Sequence, residues 1–363
     1  MKALTIGGAM IDTIAIIESD RIERMSMLNA ETSFLLLEEG RKIESLEVST
    51  HCGGGAVNTA VAMARLGLDV TALIKLGRDT RAEAILGRLE AEGISTRWVN
   101  RDATAPTGAS VLISSHDRNA AVFTFRGANT LLEPADLHDE AFAVDLVYVS
   151  NLSNRSADCY PLIIEKAKAN RALVAVNPGV RQLSARGGAF QERLAQVDVL
   201  VINRPEADAL VAALVGKFGE GGHMLPLEAG EQPPALLARG LVGGGFDMSL
   251  SAFLGAFHEL GTRYTVLTDG RGGAYVGSDG EILFCPALEA EVAGTAGAGD
   301  AFAATFAAFI ALGRSSEAAL RAATINAASV VAHVDTQTGL LKMEAIDKQL
   351  AVSSDIRVRR WPL

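Results

Sequence analysis

Short, nearly continuous apolar runs, separated by segments with helical periodicity, recur along most of this chain and leave it few folds to choose from. Such runs occupy 2–6, 70–75, 146–150, 173–176, 199–202 and 264–268. Helical patterns fall between them at 56–66, 81–92, 157–169 and 205–214. A strand wetted on one side alternates apolar with polar residues, whereas one that is apolar throughout is buried on both faces. Strands of that kind separated by helices predict a parallel sheet covered on both sides, an α/β fold. In such sheets ligands bind beyond the carboxyl ends of the strands. Asp12, Asn177 and Asn203 each follow a predicted strand and so fall near that edge.

Two segments break the alternation. Residues 16–50 carry mixed apolar and charged runs, and 107–126 hold Val111-Leu112-Ile113 and Ala121-Val122-Phe123-Thr124-Phe125 around the polar turn His116-Asp117-Arg118-Asn119. The second segment predicts a β-hairpin. A small β-rich lid made of both segments accounts for them, leaving 1–15, 51–106 and 127–350 as the α/β core. Within that core, 216–249 lacks periodicity and carries Gly219, Gly221, Gly222, Pro226, Gly230, Pro233 and Pro234, so it reads as a surface insertion. A helical pattern resumes at 250–260.

Composition narrows the function classes. With 363 residues, 49% hydrophobic and 21% charged, the chain can bury a large core and is neither disordered nor fibrous. A net charge of −10 argues against nucleic acid or an anionic membrane as partner. Cys52, Cys159 and Cys285 show neither metal-finger nor redox spacing, which predicts free thiols in a reducing compartment. No stretch reaches the ~20 apolar residues of a spanning helix, and the glycine-rich start forms no signal-peptide core, so a soluble cytoplasmic protein is expected.

The segment that carries chemistry is Gly294-Thr295-Ala296-Gly297-Ala298-Gly299-Asp300, which runs directly into the small and apolar residues Ala301-Phe302-Ala303-Ala304-Thr305-Phe306. A glycine-rich turn at a helix start lets backbone N–H groups converge where the helix dipole is positive, which suits a transferring phosphoryl group. An aspartate there can accept a proton from an attacking hydroxyl. Alone, Asp300 reads more readily as a helix cap. A second glycine-rich helix start, Gly53-Gly54-Gly55-Ala56-Val57-Asn58, shifts the balance toward function. Its glycines admit a close ligand, and an asparagine suits hydroxyl recognition.

Together these motifs resemble the PfkB/ribokinase family of carbohydrate and nucleoside kinases. The family's first signature is matched by Gly53, Gly54 and Asn58, and its second from Thr295 through Asp300. Gly8 and Asp12, Pro106-Thr107-Gly108, Gly127-Ala128-Asn129, Asn203-Arg204-Pro205-Glu206 and Thr268-Asp269-Gly270-Arg271-Gly272 follow in family order. The resemblance implies a ribokinase-like fold, ATP and Mg²⁺ as donor and cofactor, and transfer to a primary hydroxyl of a monosaccharide. A nucleoside, adenosine above all, stands as the alternative acceptor, and a binding protein without turnover as a further one. It also implies roles. Asp300 would be the base, with the amides of Gly297, Ala298 and Gly299 as the anion hole. Asp12, Gly54 and Asn58 would hold substrate hydroxyls. Asn203, Glu206, Thr268, Gly270, Gly272 and Thr295 would serve the ATP phosphates, Glu206 reaching magnesium through water. Asn203 and Glu206 also fit a capping box. Where the family's second signature opens with aspartate this chain has Gly294, which argues against a potassium site of the usual kind. Arg126, Arg181 and Lys75 could meet phosphate or a sugar acid but read first as solvated or salt-bridged residues, and His51 reads as structural. Related kinases pair their lids, so a homodimer through the lid is expected.

Overall fold

The computed structural model describes residues 1–18, 23–26, 33–36, 40, 42–115, 120–219, 232–352 and 356–363. Its centre is a nine-stranded sheet. Asp69–Leu73, Lys2–Ile6, Leu146–Val149, Leu173–Val176, Val199–Asn203 and Tyr264–Thr268 run parallel in that spatial order. Ala274–Ser278, Glu281–Cys285 and Arg359–Pro362 extend the sheet antiparallel at one edge. Alternate residues of the parallel strands feed opposite cores, as strands apolar throughout require. Ala3, Leu146 and Tyr148 pack on one side with the helices Gly55–Arg65, Ala298–Ala311 and Ser316–Val331. Leu4, Val147 and Val149 pack on the other with Tyr160–Ala169, Arg204–Phe218 and Leu250–Glu259.

Two boundaries differ from the sequence reading for local reasons. The helix expected at 157–169 begins as a tighter 3₁₀ turn, Asn154–Cys159, and becomes α-helical at Tyr160, where Pro161 occupies the first turn that needs no N–H donor. The strand expected to reach residue 75 leaves the sheet at Leu73, and Lys75–Leu76 pairs instead with Asn100–Arg101.

A separate four-stranded sheet forms the lid. Its central strands, Met10–Ile17 and Gly108–Ser115, are parallel, flanked antiparallel by Glu47–Gly53 and Ala120–Phe125. The expected hairpin is therefore present, with its turn at 116–119 outside the described residues. Residues 10–15 and 51–53, grouped with the core in the sequence reading, are strand residues of this small sheet. Within 16–50, Glu23–Ser26 pairs with Ser33–Leu36, and most of the remainder before residue 42 lies outside the described residues.

The stretch 216–249 is not a purely surface insertion where it is described. Its first residues complete the helix Arg204–Phe218, and 220–231 lie outside the described residues. The short helix Ala235–Arg239 and the ladder of Leu241–Gly243 with Phe246–Met248 then bury Leu236, Leu241 and Met248 in the second core. Elements this short carry no readable period, which is why sequence pattern misses them.

Candidate active site

The parallel strands end beneath the small sheet, and a cavity of about 310 Å³ lies between them. Its roof follows the two-residue period of a strand. Met10 and Asp12, Ser110 and Leu112, Val122 and Thr124 all face the cavity, as the register of the three strands requires. The floor is backbone-rich. Gly54 sits at φ +94°, and a Cβ there would come within 2.6 Å of the Gly8 carbonyl oxygen. The Ala56 N–H donates to that same carbonyl at 3.0 Å, locking the two glycine loops together. Asn129 holds the first loop from the other side. Its side chain accepts from the Ala9 N–H at 2.9 Å and donates to the Ala9 carbonyl at 2.8 Å.

Asp300 enters from the first turn of the helix Ala298–Ala311. Gly297 precedes it in the left-handed region at φ +80°, where a Cβ would strike Thr336 at 2.6 Å. Only glycine permits that turn at that separation. The first intrahelical bond runs from the Ala301 N–H to the Gly297 carbonyl, so the amides of Ala298, Gly299 and Asp300 precede the helical ladder. A Cβ on Gly299 would meet open space.

The carboxylate of Asp300 is oriented by Asn58, whose Nδ2 donates to Oδ2 at 2.8 Å. Asn58 is itself fixed. Its Oδ1 accepts from Thr336 Oγ1 at 2.9 Å and from Gln337 Nε2 at 3.0 Å. One Nδ2 hydrogen remains for a ligand. Burial pushes the Asp300 carboxyl above the ordinary carboxylate range, the Asn58 bond opposes this, and the charge of Asp12 pushes it further up. Asp12 is raised as well, chiefly by burial, and accepts a bond from the Ser110 hydroxyl. Gly53 makes room for it, since a Cβ there would fall 1.9 Å from Asp12 Oδ2. His51 stands opposite Asp12 in the strand register, and its charge favours the Asp12 anion.

A second group gathers where the neighbouring strands end. Asn203 and Thr268 are register partners, and the turn Gly270–Gly272 follows directly. Asn203 and Glu206 form the reciprocal capping box, with both bonds at 2.9 Å. The cap leaves Glu206 buried, and burial lifts its carboxyl to about 7, the charge of Asp300 adding to the rise. Tyr148, whose phenol is pushed well above its usual value by burial, feels the charge of both carboxylates. Among the described residues no cluster of three or more His, Cys, Asp or Glu could cage a metal ion. A single buried carboxylate is the donor set of a magnesium ion held mainly by phosphate and water, and Glu206 fits that pattern.

A family model described as "pfkB family carbohydrate kinase" matches residues 22–223 and 247–343. The chain belongs to this family. As a PfkB carbohydrate kinase it is 26% identical over 346 residues to the deoxyribokinase of Salmonella typhi, spanning 94% of this chain and 99% of that one. The ribokinase of Arabidopsis thaliana solved with ribose and ATP superposes with a TM-score of 0.70 at 22% identity, over 97% of this chain and 99% of that one. A putative ribokinase II from E. coli, solved with ATP and Mg²⁺, superposes with a TM-score of 0.72 at 16% identity, covering 96% and 99%. The kinase thus has the ribokinase-like fold, a large mostly parallel sheet with a small β-sheet lid.

The motif residues of this PfkB kinase fall into two groups. Asp300, Gly297, Asp12, Gly54 and Asn58 line the one cavity together with Gly8. Asn203, Glu206, Thr268, Gly270 and Gly272 lie outside its lining, as do Ala298, Gly299 and Thr295. Sequence reasoning did not single out Ser110, Ser150, Asn151, Ser153 or Thr336, all of which line the cavity. Ser150 and Asn151 directly follow a strand that the sequence does reveal, so the strand-end rule applied to Asn177 would have found them. Lys75 is salt-bridged as expected, at 2.8 Å from Asp136 and 3.6 Å from Glu133.

Proposed function

We propose that this PfkB kinase transfers the γ-phosphate of ATP to a primary hydroxyl of a monosaccharide bound between the glycine loops and the small sheet. The observation that carries this reading is the Asp300 carboxylate, held by Asn58 at the uncapped start of a long buried helix. Asp300 takes the proton of the substrate hydroxyl as its oxygen bonds to the γ-phosphorus and the bond to the β–γ bridging oxygen breaks, releasing ADP. The amides of Gly297, Ala298 and Gly299 face the charge carried by the transferring group. Asp12 accepts sugar hydroxyls, Gly54 lets the sugar approach the backbone, and Asn58 orients Asp300 while offering its remaining hydrogen. Asn203, Glu206, Thr268, Gly270, Gly272 and Thr295 receive the triphosphate, Glu206 through magnesium-bound water. Bound magnesium offsets the charge of the phosphate oxygens.

Two further features accompany the reading. The outer face of the small sheet exposes Val48, Val111, Phe123 and Phe125, which suits pairing with the lid of a second copy. ATP as donor and three free thiols suit a cytoplasmic protein.

ADP release measured over pentoses, hexoses and nucleosides tests the reading. Asp300→Asn should retain the fold and ATP binding and lower kcat by ~10²-fold or more, the scale of a lost general base. Near-normal turnover in a folded Asp300→Asn protein would remove Asp300 from the role of base.

A further inference from the structure

Arg126 follows the strand Ala120–Phe125 and lines the same cavity as Asp12, Asn58 and Asp300. It is the only cationic side chain in that lining, and it is half-buried. Among the described residues its guanidinium makes no ion pair or hydrogen bond, while most other partly buried arginines of the molecule do. Arg65 meets Glu92 at 2.7 Å and Arg193 meets Glu165 at 3.7 Å. Burial lowers the guanidinium's proton affinity, and the charge that bears on Arg126, that of Arg181, is a like one and lowers it further. Arg181 is exposed in the first turn of the helix Val180–Gln191, four residues after Asn177, which is also in the cavity wall. The rest of the wall near these strand ends is neutral, formed by Asn151, Ser153 and Asn177.

A guanidinium withdrawn from water and set beside another cation is an unfavourable arrangement for the empty protein. Its planar fork of donors matches a carboxylate or phosphate, and an arriving anion would relieve both the desolvation and the repulsion. Asp12 and Asp300 face the same cavity without engaging it, which leaves Arg126 open to a ligand.

We infer that the sugar accepted by this kinase carries an anionic group, a carboxylate or a phosphate, which Arg126 binds with Arg181 beside it. The inference rests on the phosphotransfer reading for its reaction, but concerns a different part of the substrate from the hydroxyl that reacts.

The test compares neutral and anionic sugars of matched skeleton. D-ribose is set against D-ribonate and D-ribose 1-phosphate, and D-fructose against 2-keto-D-gluconate, with kcat/KM measured for the wild type, Arg126→Gln and Arg126→Lys. The wild type should favour at least one anionic sugar over its neutral partner by ~10-fold or more. Arg126→Gln should erase that preference, a ~10- to 10²-fold loss confined to the anionic sugar and seen mainly in KM, the range expected of a charge-assisted bond. Arg126→Lys should restore part of it. Whether ribonate or ribose 1-phosphate wins separates a carboxylate from a phosphate site. A wild type that prefers the neutral sugar of every pair overturns the inference, as does an Arg126→Gln variant that loses both classes alike. If no sugar is phosphorylated, the phosphotransfer reading fails, and calorimetric titration of the same anions still decides the charge reading. Equal affinity of wild type and Arg126→Gln for each of them would reject it.

Discussion

Replacing Glu206 by glutamine makes a quantitative test of how burial and function meet in this kinase. The Glu206 carboxyl is lifted from 4.5 to about 7 in the folded chain. Between those values the native state holds a proton that the unfolded chain has released, so stability falls as pH rises through this interval. Above 7 the fold carries the full cost of a buried anion, on the order of 3 kcal/mol for a shift of this size. Glutamine is neutral at every pH, and its side-chain oxygen can still accept the Asn203 N–H, so the helix cap survives. Below pH 5 Glu206→Gln and wild type should therefore unfold at nearly the same temperature. Their midpoints should then separate as pH rises, the variant being more stable by several degrees at pH 8 to 9. Thermal unfolding in chelator-treated buffer, without ATP, reads the difference directly. Curves that stay parallel from pH 5 to 9 would refute the reasoning, because the carboxylate would then be as well solvated in the fold as in water. The same variant should need more magnesium for activity, since a neutral amide holds bound water less firmly than a carboxylate.

Gly294 and the outer face of the lid lead to two further expectations. A Cβ at Gly294 would lie 3.1 Å from the His333 carbonyl oxygen and 3.2 Å from that of Val334, and the glycine brings no carboxylate to these carbonyls. Without the carboxylate, initial rates should change little between potassium and a bulky organic cation at equal ionic strength, and strong saturable activation by potassium would count against this. The exposed Phe123 and Phe125 should place the protein as a dimer in light scattering at micromolar concentration, with Phe123→Ser shifting it toward monomer. A monomeric wild type would leave that apolar face without the partner proposed for it.

Much of this molecule follows from local pattern alone. The strands 2–6, 173–176 and 264–268 lie where their apolar runs predict, because burial on both faces is written into consecutive residues. The heptapeptide ending at Asp300 is legible for the same reason. A glycine turn at a helix start is built from neighbours in the chain, and Gly297 announces the positive φ it must adopt. The Asn203–Glu206 cap is equally local, and both bonds form. The antiparallel edge strands at 274–278, 281–285 and 359–362 are missing from the sequence reading although they are as long as the strands it finds, and which partners such edge strands take is not written in a local period. Tertiary structure alone brings Asn58 onto an aspartate 242 positions away and braces it with Thr336 and Gln337. It also pairs the lid strands so that Ser110 meets Asp12 across them, and leaves Arg126 near a like charge where its residue type read first as a solvated or paired surface group. Periodicity along a chain records which faces are buried. Which side chains from distant strand ends then meet depends on the order and twist of the sheets, and no stretch of neighbouring residues encodes that.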